Sequence, residues 1–327
     1  MTFNPPTTAR FAGSFFRRLS RTACSSLMLL ALAAPLPAAD MLYVSLDNDT
    51  IVSFDTTGND STAIAATKST FASTNLKDPR GLAFDTSGNL YAGNWTNPGT
   101  ISKFNSSGVY QSNITSNLTN VAGLAFDSSG NLYAVNRVGN TISKFNSSGN
   151  YLSNITTNLN VPMGLAIDSS GNLYAANAGN STISKFNSSG VYQSNITSNL
   201  NSPIGLAFDS SGNLYAANSS SNTISKFDSS GAYVSVGSIP TTNLSVPIGL
   251  AFDSSGNLYA ANSTSKTISK FDSSGTFLTS WSTGATAIPK FLAFKPVTVP
   301  EPSTYALAAI ATGVMAYLAR RRKARTA

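Results

Sequence analysis

The stretch Gly164-Leu-Ala-Ile-Asp-Ser-Ser-Gly-Asn-Leu-Tyr-Ala175 decides the fold of this chain, because the sequence repeats it. Copies of its opening Gly-Leu-Ala-Phe/Ile-Asp begin at five glycines: Gly81, Gly123, Gly164, Gly205 and Gly249. Consecutive copies are 42, 41, 41 and 44 residues apart. A fixed period of this length predicts a solenoid or a propeller, in which each repeat is one supersecondary unit.

Within one repeat, the residue types predict four short strands. Residues 164–167 and 172–176 form the first two, joined by an Asp-Ser-Ser-Gly turn. The β-branched and aromatic run at 182–186 forms the third, and residues 191–196 form a weaker fourth. Four strands in a repeat of this length describe one blade of a β-propeller.

The two ends of the array complete a further blade. Residues 41–44 and 50–55 match the second and third strands of the repeat, and residues 62–67 are the candidate fourth strand. Residues 291–294 match a first strand after the last full repeat. Closing a ring in this way removes exposed sheet edges. We therefore predict an all-β fold, a six-bladed β-propeller with 3+1 strand closure, over residues 40–296.

The blade motif resembles the NHL-type repeats of six-bladed, TolB-like propellers. Those blades read Gly-Ile/Leu-Ala-x-Asp, then Gly-Asn-Leu-Tyr-Val/Ala-Ala-Asp, then Ile-x-x-Phe-Asp. The resemblance covers residues 41–296. It implies the fold and no single activity, because such propellers serve as enzymes, receptors and scaffolds.

Residues 1–39 are typical of a secretory signal peptide. Four arginines precede an apolar run at 27–34 that is too short to span a bilayer, and small residues follow it. We predict export with cleavage after Ala39. The pair Arg17-Arg18 keeps the twin-arginine route open beside the Sec route.

The C-terminal residues form three consecutive segments. A proline-rich linker at 297–304 precedes an apolar segment at 305–319, predicted as a transmembrane helix, and a basic tail at 320–327. A helix of that length spans about 23 Å, short for a bilayer core of about 30 Å unless flanking side chains snorkel. The basic tail is expected in the cytoplasm. The linker contains the residues Val299, Pro300, Glu301, Pro302, Ser303 and Thr304.

This order of segments resembles the PEP-CTERM sorting signal of Gram-negative bacteria. In that family, an exosortase in the membrane cleaves near the Pro-Glu-Pro and passes the protein to the cell surface or extracellular matrix. The resemblance implies an inner-membrane anchor before processing and an exosortase-like protease as partner. The alternative is an ordinary tail anchor with a proline linker.

Composition argues against nucleic-acid binding and against several enzyme classes. Residues 41–296 hold twelve basic and twelve acidic residues, so the propeller has no net charge to drive phosphate binding. The chain has no histidine, its single cysteine is Cys24 and its single glutamate is Glu301. Histidine- or cysteine-based nucleophiles, zinc sites and glutamate acids are therefore excluded from the mature propeller. Streptogramin and amidating lyases, which this blade pattern resembles, depend on histidine, and gluconolactonase-like propellers hold their cation partly with glutamate.

Two polar positions recur once per blade. The aspartates that open each Ser/Thr-Ser-Gly turn are expected to cap that turn. The asparagines that end each second strand either bind sugar hydroxyls at the channel mouth or hold the adjacent loop in place. Asp47 and Asp49 are weak candidates for calcium ligands, because calcium prefers oxygen atoms. We expect no other cofactor. The recurring residues are Asp85, Asp127, Asp168, Asp209 and Asp253, and Asn94, Asn136, Asn177, Asn218 and Asn262.

Variable residues are expected on one face of the propeller, where the connections after each second and fourth strand lie. If a ligand binds, we expect Trp95 to stack on it and Arg137 to pair with an acid. The candidate ligand residues are Trp95, Asn97, Arg137, Asn140, Asn180 and Asn222.

Near-identity of the blades favours a structural role over catalysis. Residues 100–118 and 182–200 are identical, whereas an active site needs blades that diverge. We therefore expect a monomeric, non-enzymatic protein of the cell surface or matrix that binds exopolysaccharide or other surface proteins. The alternative is a metal-dependent lactonase or hydrolase with an Asp/Asn site at the channel mouth.

Overall fold

The computed structural model describes residues 40–235, 239 and 241–296, which form six four-stranded antiparallel sheets. The predicted signal peptide (1–39), linker (297–304), transmembrane helix (305–319) and basic tail (320–327) lie outside the described residues. None of the helices within the described part of the chain is both long enough and apolar enough to cross a membrane.

Each sheet is one blade, and in five of the six the strands follow chain order from the axis outward. Blade 1 combines β24 with β1–β3, and each later group of four strands forms one of blades 2 to 6. The strands are β1 (Met41–Leu46), β2 (Thr50–Asp55), β3 (Ser69–Ala72), β4 (Pro79–Phe84), β5 (Leu90–Asn94), β6 (Thr100–Phe104), β7 (Tyr110–Ile114), β8 (Val121–Phe126), β9 (Leu132–Asn136), β10 (Thr141–Phe145), β11 (Tyr151–Ile155), β12 (Pro162–Ile167), β13 (Leu173–Asn177), β14 (Thr182–Phe186), β15 (Tyr192–Ile196), β16 (Pro203–Phe208), β17 (Leu214–Asn218), β18 (Thr223–Phe227), β19 (Tyr233–Val234), β20 (Pro247–Phe252), β21 (Leu258–Asn262), β22 (Thr267–Phe271), β23 (Phe277–Ser282) and β24 (Pro289–Phe294).

The ring closes by the predicted 3+1 arrangement. Strand β24 pairs antiparallel with β1, with Leu42 opposite Phe294 and Val44 opposite Leu292. The six first strands contact one another in a complete circle, from β4 through β8, β12, β16 and β20 to β24 and back to β4. The all-β, six-bladed propeller is therefore confirmed.

One expected strand is wrong. Residues 62–67 were expected to form the fourth strand of blade 1, but helix α1 (Ser61–Ala66) lies there and the fourth strand is β3. Asp60 is the N-cap of this helix, since its side chain accepts hydrogen bonds from the backbone N–H groups of Thr62 and Ala63. The short helix packs against β23 and buries Ile64 in the core between blades 6 and 1.

The hydrophobic core lies between the blades, in one layer for each interface. Tyr174 and Ile183 of blade 4 pack with Leu214 and Phe227 of blade 5, for example. Burying each such large side chain contributes about 1.5–3 kcal/mol. Both faces of an inner strand are covered, which explains why apolar and polar residues do not alternate along it.

Glycine permits the close approach of the first strands at the axis. A Cβ atom on Gly123 would lie 2.6 Å from the carbonyl oxygen of Met163 in the next blade, and one on Gly249 would lie 2.6 Å from that of Lys290. Blade 1 has Phe291 at the equivalent position of β24. The axis itself holds a cavity of about 130 Å³ lined by Gly81, Gly123, Gly205, Phe291 and one leucine from each first strand: Leu82, Leu124, Leu165, Leu206, Leu250 and Leu292.

Candidate binding site on the loop face

The connections after each second strand and after each fourth strand meet on one face of the propeller, called the loop face below. Backbone hydrogen bonds join the two sets, as from Ala178 N to Val161 O (3.1 Å) and from Trp95 N to Lys77 O (3.1 Å). The six candidate ligand residues all lie in connections after second strands, so they share this face.

The asparagine that ends each second strand has a structural role. Asn177 is fully buried; its Oδ1 accepts from Asn160 N (3.1 Å), and its Nδ2 donates to Ser184 Oγ (2.8 Å) and Thr182 Oγ1 (3.1 Å). The network therefore fastens the second and third strands to the loop that enters the first strand. Asn94, Asn136, Asn218 and Asn262 make the same three kinds of bond.

The recurring aspartates lie on the opposite face and cap turns. Asp168 Oδ1 accepts from the backbone N–H groups of Ser170 (3.0 Å) and Asn172 (2.8 Å), and its Oδ2 accepts from Asn172 Nδ2 (2.8 Å). Positive φ at Gly171 completes the turn. The other four aspartates form the same bonds within their own turns.

The calcium candidates Asp47 and Asp49 accept hydrogen bonds from the chain. Asp47 Oδ1 accepts from Ile288 N (2.8 Å), and Asp49 accepts from Asp78 N (2.7 Å) and Lys77 Nζ (3.0 Å). The backbone bond from Asp78, together with Lys77, lowers the pKa of Asp49. Across the described residues, no group of three or more acidic, histidine or cysteine side chains is placed to hold a metal ion. Calcium binding here stays a prediction.

The four candidate asparagines differ in what their side chains do. Asn140 and Asn222 have positive φ, and their Oδ1 atoms accept from the backbone N–H groups of Val161 (2.7 Å) and Val246 (2.6 Å) at the start of the next blade. Asn180 Oδ1 accepts from Thr182 Oγ1 within its own blade (3.0 Å). Asn97 is exposed at the tip of its loop.

Trp95 and Arg137 come together across the boundary between blades 2 and 3. The Cζ atom of Arg137 lies 5.5 Å from the centre of the Trp95 ring, and that of Arg80 lies 4.6 Å from it. Cation–π contacts of this kind are worth about 0.5–2 kcal/mol. Arg80 also donates from Nη2 to Asp78 Oδ2 (2.8 Å). Lys290 is close enough to Arg80 for the two positive charges to interact. We call the five side chains Asp78, Arg80, Trp95, Arg137 and Lys290 the axial cluster.

Lys290 is a largely buried cation, with only 9% of its surface exposed. Burial, and next the nearby charge of Arg80, lower its pKa, although Asp47 and Asp78 act in the opposite direction. Among the ion pairs within 4.0 Å that the described residues form, none includes Lys290 or Arg137. The axial cluster therefore retains positive charge that no neighbouring carboxylate neutralises at contact.

Sequence analysis pointed to Trp95 and Arg137 but missed Arg80 and Lys290. Both missed residues occupy the second position of a first strand, where the repeat is otherwise apolar. A comparison of this one position across the blades would have found them. In chain order, the residues there are Arg80, Ala122, Met163, Ile204, Ile248 and Lys290.

Comparison with known proteins identifies the C-terminal segment. Residues 298–323 match the family model described as the PEP-CTERM protein-sorting motif. The chain therefore carries a sorting motif that an exosortase-type system recognises, and it is an exported protein processed at a membrane. No curated protein matches the sequence.

Solved structures resemble the propeller at low sequence identity. A chain of the nidogen/laminin complex is similar with a TM-score of 0.68 and 17% identity, covering 80% of this chain and 99% of that one. A virginiamycin B lyase from Staphylococcus aureus is similar with a TM-score of 0.54 and 17% identity over 65% and 73% of the two chains. A catalytically inactive form of that lyase with quinupristin is similar with a TM-score of 0.58 and 13% identity, covering 80% of this chain and 94% of that one. These likenesses show the fold alone, a six-bladed β-propeller.

Proposed function

We propose that this protein is a non-enzymatic binding protein of the cell surface or extracellular matrix. In this proposal the apolar C-terminal segment holds the chain in the inner membrane of a Gram-negative cell until an exosortase cleaves near Pro300–Thr304. The propeller then binds exopolysaccharide or other surface proteins through its loop face. The sorting motif supports delivery to that location.

The axial cluster is the observation that carries the binding role. The loops after the second strands of blades 4 and 5 have small and polar residues, and that of blade 6 adds only Lys266, whose Nζ donates to the carbonyl oxygen of Ala285. Blades 1 to 3, in contrast, gather three cations and a tryptophan around one mouth of the axis. Exposed aromatic and arginine side chains dominate the binding energy of many interfaces. Divergence concentrated in one sector of an otherwise repetitive ring is expected where that sector binds a ligand.

The axial cavity supports a binding role rather than catalysis. Its lining of glycine, leucine and Phe291 provides no acid, base or nucleophile. The alternative, a metal-dependent hydrolase, would use Asp47, Asp49 and loop asparagines at the channel mouth. Hydrolysis of a lactone or ester by the full chain with added calcium, lost in Asp47→Ala, would favour that alternative.

Co-sedimentation with polysaccharide and protein fractions of the native extracellular matrix tests the proposal. The full chain is expected to bind at least one fraction, and Arg137→Ala is expected to weaken that binding severalfold. Lys295→Met is the matched control, because it removes a cation from the opposite face, next to Gly88. Equal binding by Arg137→Ala and wild type, or no binding to any fraction, would refute the loop-face role.

A further inference from the structure

The second positions of the six first strands form a ring of side chains near the loop-face end of the axis. Four members are apolar, and the remaining two, Arg80 and Lys290, lie on strands β4 and β24, which are neighbours around the axis. Two cations are therefore placed side by side at one mouth of an apolar channel. Like charges at such a place repel one another more strongly than they would in water.

A buried hydroxyl fixes the strands that carry the two cations. Ser45 is fully buried; its Oγ donates to the carbonyl oxygen of Arg80 (2.7 Å) and accepts from the backbone N–H of Phe291 (3.0 Å), the residue after Lys290. The backbone on both sides is thus held by one side chain. The backbone positions from which the two cations extend are therefore set by the fold and do not depend on two flexible loops.

The fold leaves the hydrogen-bonding capacity of this pair unfilled. Of the three carboxylates nearby, Asp49 is bound to Lys77, Asp78 to Arg80 and Asp47 to a backbone N–H. Within the described residues, the buried Nε of Arg80 has no hydrogen-bond partner, and neither has the buried Oδ1 of Asp78, whose Oδ2 binds the same guanidinium. An unfilled buried donor and a buried, unpaired cation both cost stability. An anion that contacts both groups would remove part of that cost.

The surroundings favour a ligand that is rich in hydroxyl groups. The loop residues beside the cluster are uncharged and polar, such as the exposed Asn97 and the partly buried Thr96 at the rim of blade 2. Amide and hydroxyl side chains of this kind hydrogen-bond sugar hydroxyls, while guanidinium and ammonium groups bind carboxylates through charge-assisted bonds.

We propose that Arg80 and Lys290 form a subsite for the carboxylate of an acidic sugar, such as a uronic acid residue in a polysaccharide, at the loop-face mouth of the axis. This inference rests on the proposed binding function and names the substrate class of the same face. Trp95 and Asp78 hold the guanidinium of Arg80 in place. Arg137 extends the positive charge toward the next sugar along a chain.

Isothermal titration of the full chain with tetragalacturonate tests the subsite, with neutral maltotetraose and tetraglutamate as comparison ligands. Wild type is expected to bind tetragalacturonate, and Lys290→Met to bind it about tenfold more weakly. Lys295→Met, on the opposite face near the other end of the same strand, is expected to match wild type. Lys290→Met should be at least as thermostable as wild type, because it removes a buried cation, so weak binding cannot reflect unfolding.

The pH dependence gives a second readout. Burial and Arg80 lower the pKa of Lys290 below 10.5, while Asp47 and Asp78 also face it. Affinity is therefore expected to fall as the pH rises through this lowered pKa, since the amine loses its charge. Lys290→Met should not show that fall.

The outcomes separate this inference from the proposed function. Equal tetragalacturonate affinity in Lys290→Met and wild type, or equal binding of maltotetraose, refutes the carboxylate subsite even if matrix fractions still bind through Arg137. Equal binding of tetraglutamate refutes the assignment to a sugar. Tetragalacturonate binding that depends on Lys290, in a protein that binds no native matrix fraction, supports the subsite and refutes the matrix role.

Discussion

Replacement of Asn177 by alanine should destabilise the propeller rather than alter a binding surface. The change removes a fully buried side chain with four hydrogen bonds, one from Asn160 N and three to Ser184 Oγ, Thr182 Oγ1 and, at 3.4 Å, Asn158 O. At about 1 kcal/mol for each of the three shorter bonds, their loss costs about 3 kcal/mol. For a domain of this size, that lowers Tm by about 6–12 °C.

Thermal denaturation of the full chain, followed by circular dichroism, measures this effect. The matched control is Asn180→Ala in the same blade. Asn180 is exposed and makes one side-chain bond, so its loss should cost less than about 1 kcal/mol. If Asn177→Ala melts at the wild-type temperature and instead loses polysaccharide binding, the recurring asparagines bind ligand. That result would refute their structural role.

Three further predictions concern blade packing, pH and ring closure. Gly123→Ala places a Cβ atom 2.6 Å from the carbonyl oxygen of Met163 and should cost about 1–3 kcal/mol in urea denaturation; an unchanged midpoint would contradict close packing at the axis. Because the pKa of Asp49 is lowered, its contribution to stability is complete above pH 3.8 and is lost as the pH falls through the lowered value. In thermal melts over a series of pH values, Asp49→Asn should lose less stability in acid than wild type does. Identical profiles of Tm against pH for the two proteins would exclude this contribution of Asp49. Lys270→Met removes two hydrogen bonds from Lys270 Nζ to the carbonyl oxygens of Thr56 and Gly58 in blade 1, and should lower the free energy of unfolding by about 1–3 kcal/mol, measured by calorimetry. The control Lys226→Met, at a partly buried lysine, should cost less than about 1 kcal/mol. Equal losses would contradict a role of Lys270 in ring closure.

The propeller could be predicted because the residue types of the same turns and strands recur in every blade. Partial copies at the two ends were enough to predict closure, which the pairing of β24 with β1 confirms. Residues 62–67 occupy the fourth-strand position of the repeat, but their local chemistry favours a helix. Asp60 followed by an alanine-rich run is a helix signal, and α1 begins there.

The candidate site was harder to predict, because contacts between blades decide it. Trp95 and Arg137 stood out as unusual residues in loops, and they do lie together. Arg80 and Lys290 were hidden inside strands that match the repeat at their other positions. Conversely, Asn140 has the residue type of a sugar ligand, but its positive φ directs its side chain to the backbone of the next blade.

Delivery to the cell exterior is the part of the account on which the binding role depends. Intact-mass analysis of the protein from the cell envelope and from the culture fluid tests it most directly. The expected result is an extracellular species that has lost both ends, with the C-terminal cut close to Pro300–Thr304. A chain that keeps its complete C-terminus and is found only in the inner membrane would contradict it.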